Sequence, residues 1–208
     1  MTQLAHAGAD GMAASPFAHD RYTIKRNYWT LFGRDFQVTD PNGTPCMHVR
    51  HKLFTLRGEW NIFTDSSQRA ALVRLKAREA IGLNFTTDVF DAQTGACVGT
   101  VRLKGLKSIV RDAWEVLDAG GNVIGALAED SNGLLRRLLP TFFGMPLILG
   151  HWILTVGGTP VMEVTEARTF FVKTFVVTIA PGAVDRRFAI GCALLALMRE
   201  LIRESPDT

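Results

Sequence analysis

Apolar and polar residues alternate along most of the chain, and this alternation is typical of β-strands with one buried and one solvated face. In residues 73–78, Val73, Leu75 and Ala77 point to one side and basic side chains point to the other. Four pairs of such stretches flank short turns rich in Asp and Gly, which favour hairpins because glycine accepts positive φ. These turns lie at 40–43, 91–95, 118–121 and 157–158. The pattern predicts an antiparallel meander, with further strands at 22–32, 52–57, 59–64, 70–78 and 168–179.

One run near the end of the chain breaks the alternation. Residues 188–198 are all apolar or glycine, and a helix that has no polar face must be buried on every side. Asp185 precedes this run at a position that favours the helix dipole. We predict a helix at about 184–204, with a solvated final stretch that begins at Arg199. The predicted core side chains of this helix are Phe188, Ile190, Leu194, Leu195, Leu197 and Met198.

The strand pattern and the apolar helix together predict the architecture. A curled antiparallel sheet needs side chains to fill its interior, and an apolar helix can provide that filling. We therefore predict a mainly β (α+β) fold, in which a closed antiparallel barrel surrounds a buried hydrophobic C-terminal helix. A second, short helix is predicted at 131–139, where Pro140 ends it.

Length and composition suggest one domain with a tail. The chain has 208 residues, and we place a single domain at 21–204. Residues 1–20 lack both the alternation and the pattern of a signal peptide, so we expect a flexible N-terminal tail. No stretch of about 20 apolar residues is present, which argues against a transmembrane helix. We expect a cytoplasmic protein that is peripheral at the membrane.

The three cysteines, which are expected to be free thiols, are Cys46, Cys97 and Cys192.

Four stretches of the sequence, in their order and spacing, resemble the LURP-one-related proteins, which belong with the tubby C-terminal domains and the phospholipid scramblases. The stretches are 36–43, 48–60, 114–128 and 181–185, and the resemblance extends over about 22–200. It implies a barrel of twelve strands around a hydrophobic C-terminal helix. Tubby domains bind phosphoinositides through a basic patch, and scramblases are associated with phospholipid movement and calcium. The resemblance therefore implies a role connected with membrane lipids, although the chain has no calcium-loop signature.

Candidate catalytic and metal-binding residues do not form a consistent set. Cys46 and His48 would share one face of a strand, whereas His51 would lie on the other, so three metal ligands would not converge. Glu163 and Glu166 would also lie on opposite faces, which argues against paired-carboxylate catalysis. The glycine pairs fall inside hairpins rather than between a strand and a helix, where phosphate-binding loops occur. We expect no catalytic site, no metal and no cofactor.

Basic residues give the strongest functional signal. The chain has 23 Lys and Arg against 20 Asp and Glu, and the excess is concentrated between Arg50 and Arg111. Alternation places basic side chains on one face of two strands, and we name this set the basic stripe: Arg74, Lys76, Arg78, Arg102, Lys104 and Lys107. If the two strands are neighbours, the basic stripe suits the phosphates of lipid headgroups. The alternative is an ordinary solvated face with acidic partners. Aromatic residues do not alternate with these bases, so we expect no nucleic acid partner.

Three functional hypotheses follow from these observations. The first is a non-enzymatic domain that binds anionic phospholipid or phosphoinositide headgroups at a membrane surface through the basic stripe. The second is a regulatory domain whose partner is another protein. The third is a scramblase-related role in lipid translocation, which is implied by the resemblance alone.

Overall fold

The computed structural model describes residues 15–27, 34–51, 58–78, 85–103, 113–130, 150–167 and 172–203. These residues form twelve strands and one helix. The strands are β1 (Arg21–Asn27), β2 (Arg34–Thr39), β3 (Pro45–His51), β4 (Glu59–Phe63), β5 (Ala71–Ala77), β6 (Phe85–Asp91), β7 (Cys97–Leu103), β8 (Ala113–Leu117), β9 (Val123–Glu129), β10 (His151–Val156), β11 (Thr159–Ala167) and β12 (Thr174–Ile179). The helix is α1 (Arg186–Arg203).

The strands form one closed antiparallel barrel. Each strand pairs with the next in the sequence, and β12 pairs with β1 to close the sheet. The predicted barrel and its four predicted hairpins are confirmed, because the turns join β2 to β3, β6 to β7, β8 to β9 and β10 to β11. The strand predicted at 52–57 and the helix predicted at 131–139 lie outside the described residues.

Helix α1 fills the interior of the barrel, as the apolar run predicts. The predicted core side chains Phe188, Ile190, Leu194, Leu195, Leu197 and Met198 are each 2% exposed or less. The helix packs against β5, β6, β7 and β12. In the part of the chain that the structure describes, no helix is both long and apolar enough to cross a membrane.

The predicted solvated end of this helix is wrong at Arg199 and Glu200, whereas the side chains of Arg203 and Glu204 lie outside the described part of the chain. Glu200 is only 1% exposed and Arg199 is half-buried, so the wall still encloses the helix at the point where polar residues begin. A change from apolar to polar residues marks where a helix could leave a core. It does not report how far the surrounding strands extend along that helix.

Close packing between α1 and the wall depends on glycine. A Cβ at Gly99 of β7 would lie 2.5 Å from Cε2 of the Phe188 ring, which is shorter than real contacts allow. A Cβ at Gly191 of α1 would lie 3.2 Å from Cγ1 of Val89 on β6. Glycine at these two positions lets the helix and the sheet approach each other more closely than larger residues permit.

The two ends of the barrel differ in their connections. At one end, which we name the turn end, the described turns 40–44, 64–70, 92–96, 118–122 and 157–158 join the strands, and α1 begins there. At the opposite end, which we name the linker end, α1 finishes. Six stretches of between six and 21 residues join the strand ends there, between β1 and β2, β3 and β4, β5 and β6, β7 and β8, β9 and β10, and β11 and β12.

Residues 15–20, which the sequence pattern assigns to a loose tail, lie against the turn end. Phe17 packs on the core, and the carbonyl of Asp20 accepts a hydrogen bond from the N–H of Ile179 at 2.8 Å. The Asp20 carboxylate also forms an ion pair with Arg186 at the start of α1. Residues 15–20 are therefore anchored on the barrel, and residues 1–14 lie outside the described residues.

A buried ion pair lies near the linker end. Lys173 Nζ is 3.5 Å from Glu166 Oε1, and both side chains are 8% exposed. Glu166 Oε2 also accepts a hydrogen bond from the N–H of Gly150 at 3.0 Å. Glu163, three residues earlier on β11, is exposed. The prediction that these two glutamates occupy opposite faces is confirmed, and Glu166 ties the start of β10 to β11.

Aspartates at the turn end make stability depend on pH. Hydrogen bonds lower the pKa of four of these aspartates. The main donor is Ser67 for Asp65, Gln93 for Asp91, Asn122 for Asp118 and Arg187 for Asp185. A lowered folded-state pKa contributes stability above the unfolded pKa, near 4, and that contribution is lost as the pH falls through the lowered values.

We therefore expect the free energy of unfolding in urea to fall steadily from pH 5 to pH 2. The Asp185→Asn variant, which removes one ionisable carboxylate, should show a shallower fall over the same range. A free energy of unfolding that stays constant down to pH 2 would contradict this expectation.

Candidate anion-binding site

The two strands of the basic stripe are not neighbours. Strand β6 lies between β5, which carries Arg74 and Lys76, and β7, which carries Arg102. Lys104 and Lys107 lie outside the described residues. The predicted face is confirmed for Lys76 and Arg78, which are exposed on the outer wall, but the condition that the two strands be neighbours is not met.

Acidic side chains of the neighbouring strands compensate part of the basic stripe. Asp88 on β6 accepts hydrogen bonds from Arg78 Nε at 2.7 Å and Nη2 at 2.8 Å, and from the Thr100 hydroxyl at 2.7 Å. The bond to Asp88 raises the pKa of Arg78. The register also places Lys76 between Glu59 on β4 and Asp88 on β6.

The other end of the basic stripe is compensated in the same way. Arg102 donates to Glu115 Oε2 from Nε at 3.0 Å and from Nη2 at 2.6 Å. The guanidinium carbon of Arg74 lies 5.2 Å from the centre of the Phe90 ring. The described part of the basic stripe is therefore a mixed wall of bases, acids and one aromatic ring rather than a continuous cationic surface.

A more concentrated group of bases lies in a cleft of about 440 Å³ on the outer wall of the first three strands. We name it the β1–β3 cleft. Its lining residues are Lys25 and Arg26 of β1, Asp35 and Gln37 of β2, His48 and Arg50 of β3, Ser66 of the turn after β4, and Val172 before β12.

Strand register explains why most of these side chains share one face, whereas Arg26 lies opposite the buried Phe36. Lys25 of β1 lies opposite Gln37 of β2, and Gln37 lies opposite His48 of β3. Asp35 and Arg50 form the next row towards the linker end. The alternate positions of the same strands, such as Ile24 and Val49, are fully buried in the core, so the apolar contacts of the inner face hold the outer row in place.

The charge of the cleft is predominantly positive. Asp35 is its one lining carboxylate, and Arg50 Nε donates to Asp35 Oδ1 at 3.1 Å. His48 Nε2 lies 3.9 Å from the same oxygen and has no hydrogen-bond partner among the described residues. Lys25 is exposed, and within the described ranges no carboxylate is paired with it.

The donor groups of the cleft suit a phosphate-bearing ligand. The guanidinium of Arg50 keeps its Nη donors beside the bond from Nε to Asp35, and the ammonium of Lys25 offers a mobile point charge. Gln37 and Ser66 add neutral donors that can bind hydroxyl or ester oxygens.

The described residues contain no group of three His, Cys, Asp or Glu side chains that could hold a metal ion. Burial raises the pKa of the nearby Cys46 thiol to about 11, so it is not a thiolate at neutral pH.

A second, larger cleft of about 620 Å³ lies at the turn end, beside the start of α1. Its two bases are already paired with acids. Arg187 forms ion pairs with Asp91 and Asp185, and Arg186 forms one with Asp20. These internal pairs leave the larger cleft without an excess of positive charge, so it is a poorer site for an anion.

Sequence reasoning missed the β1–β3 cleft. Each of its three strands contributes only two polar residues, and the six do not form a cluster in the sequence. The available signal was the period of two in Asp35 and Gln37 and again in His48 and Arg50, which marks these positions as one outer face. Combining the three strands requires their register, which the sequence pattern does not provide.

Comparison with known proteins identifies no family for this chain. No protein-family model matches it, and no curated protein matches it. Among solved structures, the chain is similar to the X-ray structure of a protein from Arabidopsis thaliana, with 18% identity and a TM-score of 0.48. That match covers 87% of this chain and 91% of the other. At this identity and TM-score, no conclusion about the function of this chain rests on the match.

Proposed function

We propose that this protein is a non-enzymatic module that binds phosphate-bearing headgroups of anionic phospholipids in the β1–β3 cleft. The observation that carries the proposal is the set of lining charges, in which Lys25, Arg26 and Arg50 outnumber the single carboxylate, Asp35. A concave surface with this excess of positive charge concentrates anions.

Phosphate fits this set of donors better than an isolated carboxylate does. Arg50 and Lys25 together provide a planar fork and a point charge, and a phosphate can accept bonds from both through different oxygens. The cleft volume of about 440 Å³ leaves space for the polar group esterified to the phosphate. Gln37 and Ser66 lie where they can donate to that group.

The sequence resemblance supports the same ligand class. Gln37 belongs to the stretch 36–43, and His48 and Arg50 belong to the stretch 48–60, both of which carry the resemblance to LURP-one-related proteins. The tubby domains and scramblases that belong with that family act on or at phospholipid membranes. Six polar residues of the cleft belong to strands, and three of them, Gln37, His48 and Arg50, therefore fall within the stretches on which the resemblance depends.

Vesicle co-sedimentation tests the proposal. The protein should bind vesicles of phosphatidylcholine with 20% phosphatidic acid and should bind pure phosphatidylcholine vesicles much less. Binding should weaken as salt is raised to 1 M, where the Debye length falls to about 3 Å. The double variant Lys25→Gln, Arg50→Gln should bind about 30-fold more weakly, because each base near an anionic surface contributes about 1 kcal/mol.

The matched control removes the same charge from the outer wall elsewhere. The double variant Lys76→Gln, Arg102→Gln should retain most of the binding, because these bases face acidic neighbours. Equal binding to neutral and anionic vesicles would contradict the proposal. A loss in the control as large as that in the cleft variant would also contradict the assignment to this cleft.

A further inference from the structure

The turn at 64–70, which joins β4 to β5, borders the β1–β3 cleft. Its Ser66 is one of the residues that line the cleft. Two hydrogen bonds within the turn fix its shape. The N–H of Ser67 donates to Asp65 Oδ1 at 2.7 Å, and the N–H of Gln68 donates to the carbonyl of Asp65 at 3.2 Å. The turn therefore holds the backbone of Gln68 in one conformation beside the cleft.

The backbone conformation of Gln68 is unusual for its residue type. Its φ is +58°, and within the described part of the chain it is the one residue other than glycine with a positive φ. Four other turns at the turn end have glycine where φ is positive, at Gly43, Gly95, Gly121, and the pair Gly157 and Gly158. Glycine would adopt this φ without a steric penalty. The exception at Gln68 therefore indicates that its side chain supplies something that glycine does not.

The side chain of Gln68 contacts a base of the cleft. The hydrogen-bond network assigns the oxygen of the Gln68 amide to the side of Arg50, where it accepts from Nε and from Nη1, each at 3.2 Å. Asp35 Oδ1 accepts from the same Nε at 3.1 Å. Arg50 Nη2 takes part in none of these bonds, and the Arg50 side chain is 47% exposed, so a ligand in the cleft can reach it.

We infer that Gln68 is a positioning residue of the β1–β3 cleft, which holds the Arg50 guanidinium in the orientation that receives a phosphate. This inference rests on the proposed function, because it gives Gln68 a role in the same site. A flexible arginine loses conformational entropy when it binds a ligand, and this loss weakens binding. Because Gln68 and Asp35 order Arg50 in the free protein, less entropy is lost when the phosphate binds.

Replacing Gln68 with glycine separates binding from stability. Gln68→Gly removes both the amide and the steric penalty of the positive φ, so its melting temperature should equal or exceed that of the parent protein. Its binding to vesicles of phosphatidylcholine with 20% phosphatidic acid should nevertheless be about threefold weaker, which is the effect of ordering one flexible side chain on binding. A residue that only shapes the turn would not weaken binding in a fold that is equally stable.

The matched control makes the same exchange in another turn at the turn end. Gln93 is exposed in the turn at 92–96 and does not line the β1–β3 cleft. Its bond to Asp91 is donated by the backbone N–H, which glycine retains. Gln93→Gly should therefore leave binding to the same vesicles unchanged.

A double-mutant cycle tests whether Gln68 acts through Arg50. Arg50→Gln alone should weaken binding about fivefold, as expected for one base near an anionic surface. The Gln68→Gly, Arg50→Gln double variant should bind as Arg50→Gln does, because no guanidinium then remains for the amide to hold. A further threefold loss in the double variant would show that Gln68 acts independently of Arg50.

The side-chain Nε–H of Arg50 reports the positioning without any ligand. In ¹⁵N-labelled protein, this proton should exchange with water more slowly in the parent protein than in Gln68→Gly. The Nε–H of Arg102, which donates to Glu115, should exchange at the same rate in both proteins. An unchanged exchange rate at Arg50 would overturn the positioning role.

The outcomes separate the two proposals. If the parent protein binds neutral and anionic vesicles equally, the proposed function fails, and the role of Gln68 in that site fails with it. If the parent protein prefers anionic vesicles, but Gln68→Gly binds them as well as the parent or its effect persists in the Arg50→Gln background, the positioning role is overturned and the proposed function stands.

Discussion

Replacing Leu194 with aspartate is expected to abolish folding of the barrel. Leu194 is fully buried in the middle of α1, and the helix residues on both sides of it are also fully buried or nearly so. An isolated carboxylate at this position has no partner to offset the loss of its hydration, and the leucine contacts with the wall are lost as well. The combined cost exceeds about 5 kcal/mol, which is comparable to the total stability of an ordinary domain.

Circular dichroism and urea unfolding measure this effect. The Leu194→Asp protein should show no cooperative unfolding transition and should collect in the insoluble fraction. Val123→Asp, which introduces the same charge at an exposed position, should unfold within about 0.5 kcal/mol of the parent protein. A soluble Leu194→Asp protein with the parent unfolding midpoint would contradict the placement of α1 inside the barrel.

The Gly125→Ala substitution is expected to have the second largest effect. A Cβ at Gly125 on β9 would lie 1.8 Å from the carbonyl oxygen of Thr155 on β10. The obstacle is backbone, so no side-chain rotation relieves the contact and the two strands must separate. We expect a loss of roughly 4 kcal/mol in the free energy of unfolding, at the upper end of the cost of overpacking.

A second glycine separates steric crowding from backbone conformation. Gly43 has a φ of +84°, and a Cβ at this position would meet no other atom within 4 Å. Gly43→Ala should therefore cost only about 1 to 2 kcal/mol, through the left-handed backbone alone. Urea unfolding of the two variants measures the difference. Equal losses would show that β9 and β10 are not in the close contact described.

The fold followed from local patterns. Alternation with a period of two marks strands, Asp and Gly mark turns, and a run that is apolar on all sides marks a buried helix. Each of these signals lies within a few neighbouring residues. The end of α1 was misjudged because the burial of Glu200 depends on how far the surrounding strands extend. That length is a property of the whole barrel.

The candidate site was less accessible to sequence reasoning because it is non-local. Alternation correctly placed Lys76 and Arg78 on the outer wall, but it could not reveal Asp88 from the next strand beside them. For the same reason, the sequence did not reveal that Lys25 and His48 lie in one row on the outer wall, because that row follows only from the register of three strands. Outer-face charges are therefore predictable one strand at a time, whereas their pairing is not.

The charge pattern of the outer wall also shows why an excess of bases in the sequence is a weak guide to a binding surface. The stretch from Arg50 to Arg111 is rich in bases, yet Arg78 and Arg102 each donate two hydrogen bonds to a carboxylate of a neighbouring strand. The bases of the β1–β3 cleft do not form a basic run in the sequence, but only one carboxylate lies among the residues that line the cleft. The local ratio of bases to acids in space decides where an anion is attracted.

The central claim is that a phosphate headgroup occupies the β1–β3 cleft. The most direct test is a titration of ¹⁵N-labelled protein with dihexanoyl phosphatidic acid below its micelle concentration, followed by ¹H–¹⁵N correlation spectra. The account predicts saturable shifts of the backbone amides of Lys25, Gln37 and His48, which disappear in the Lys25→Gln, Arg50→Gln variant. Shifts confined to Arg74 and Lys76, or no saturable shift at any residue, would contradict it.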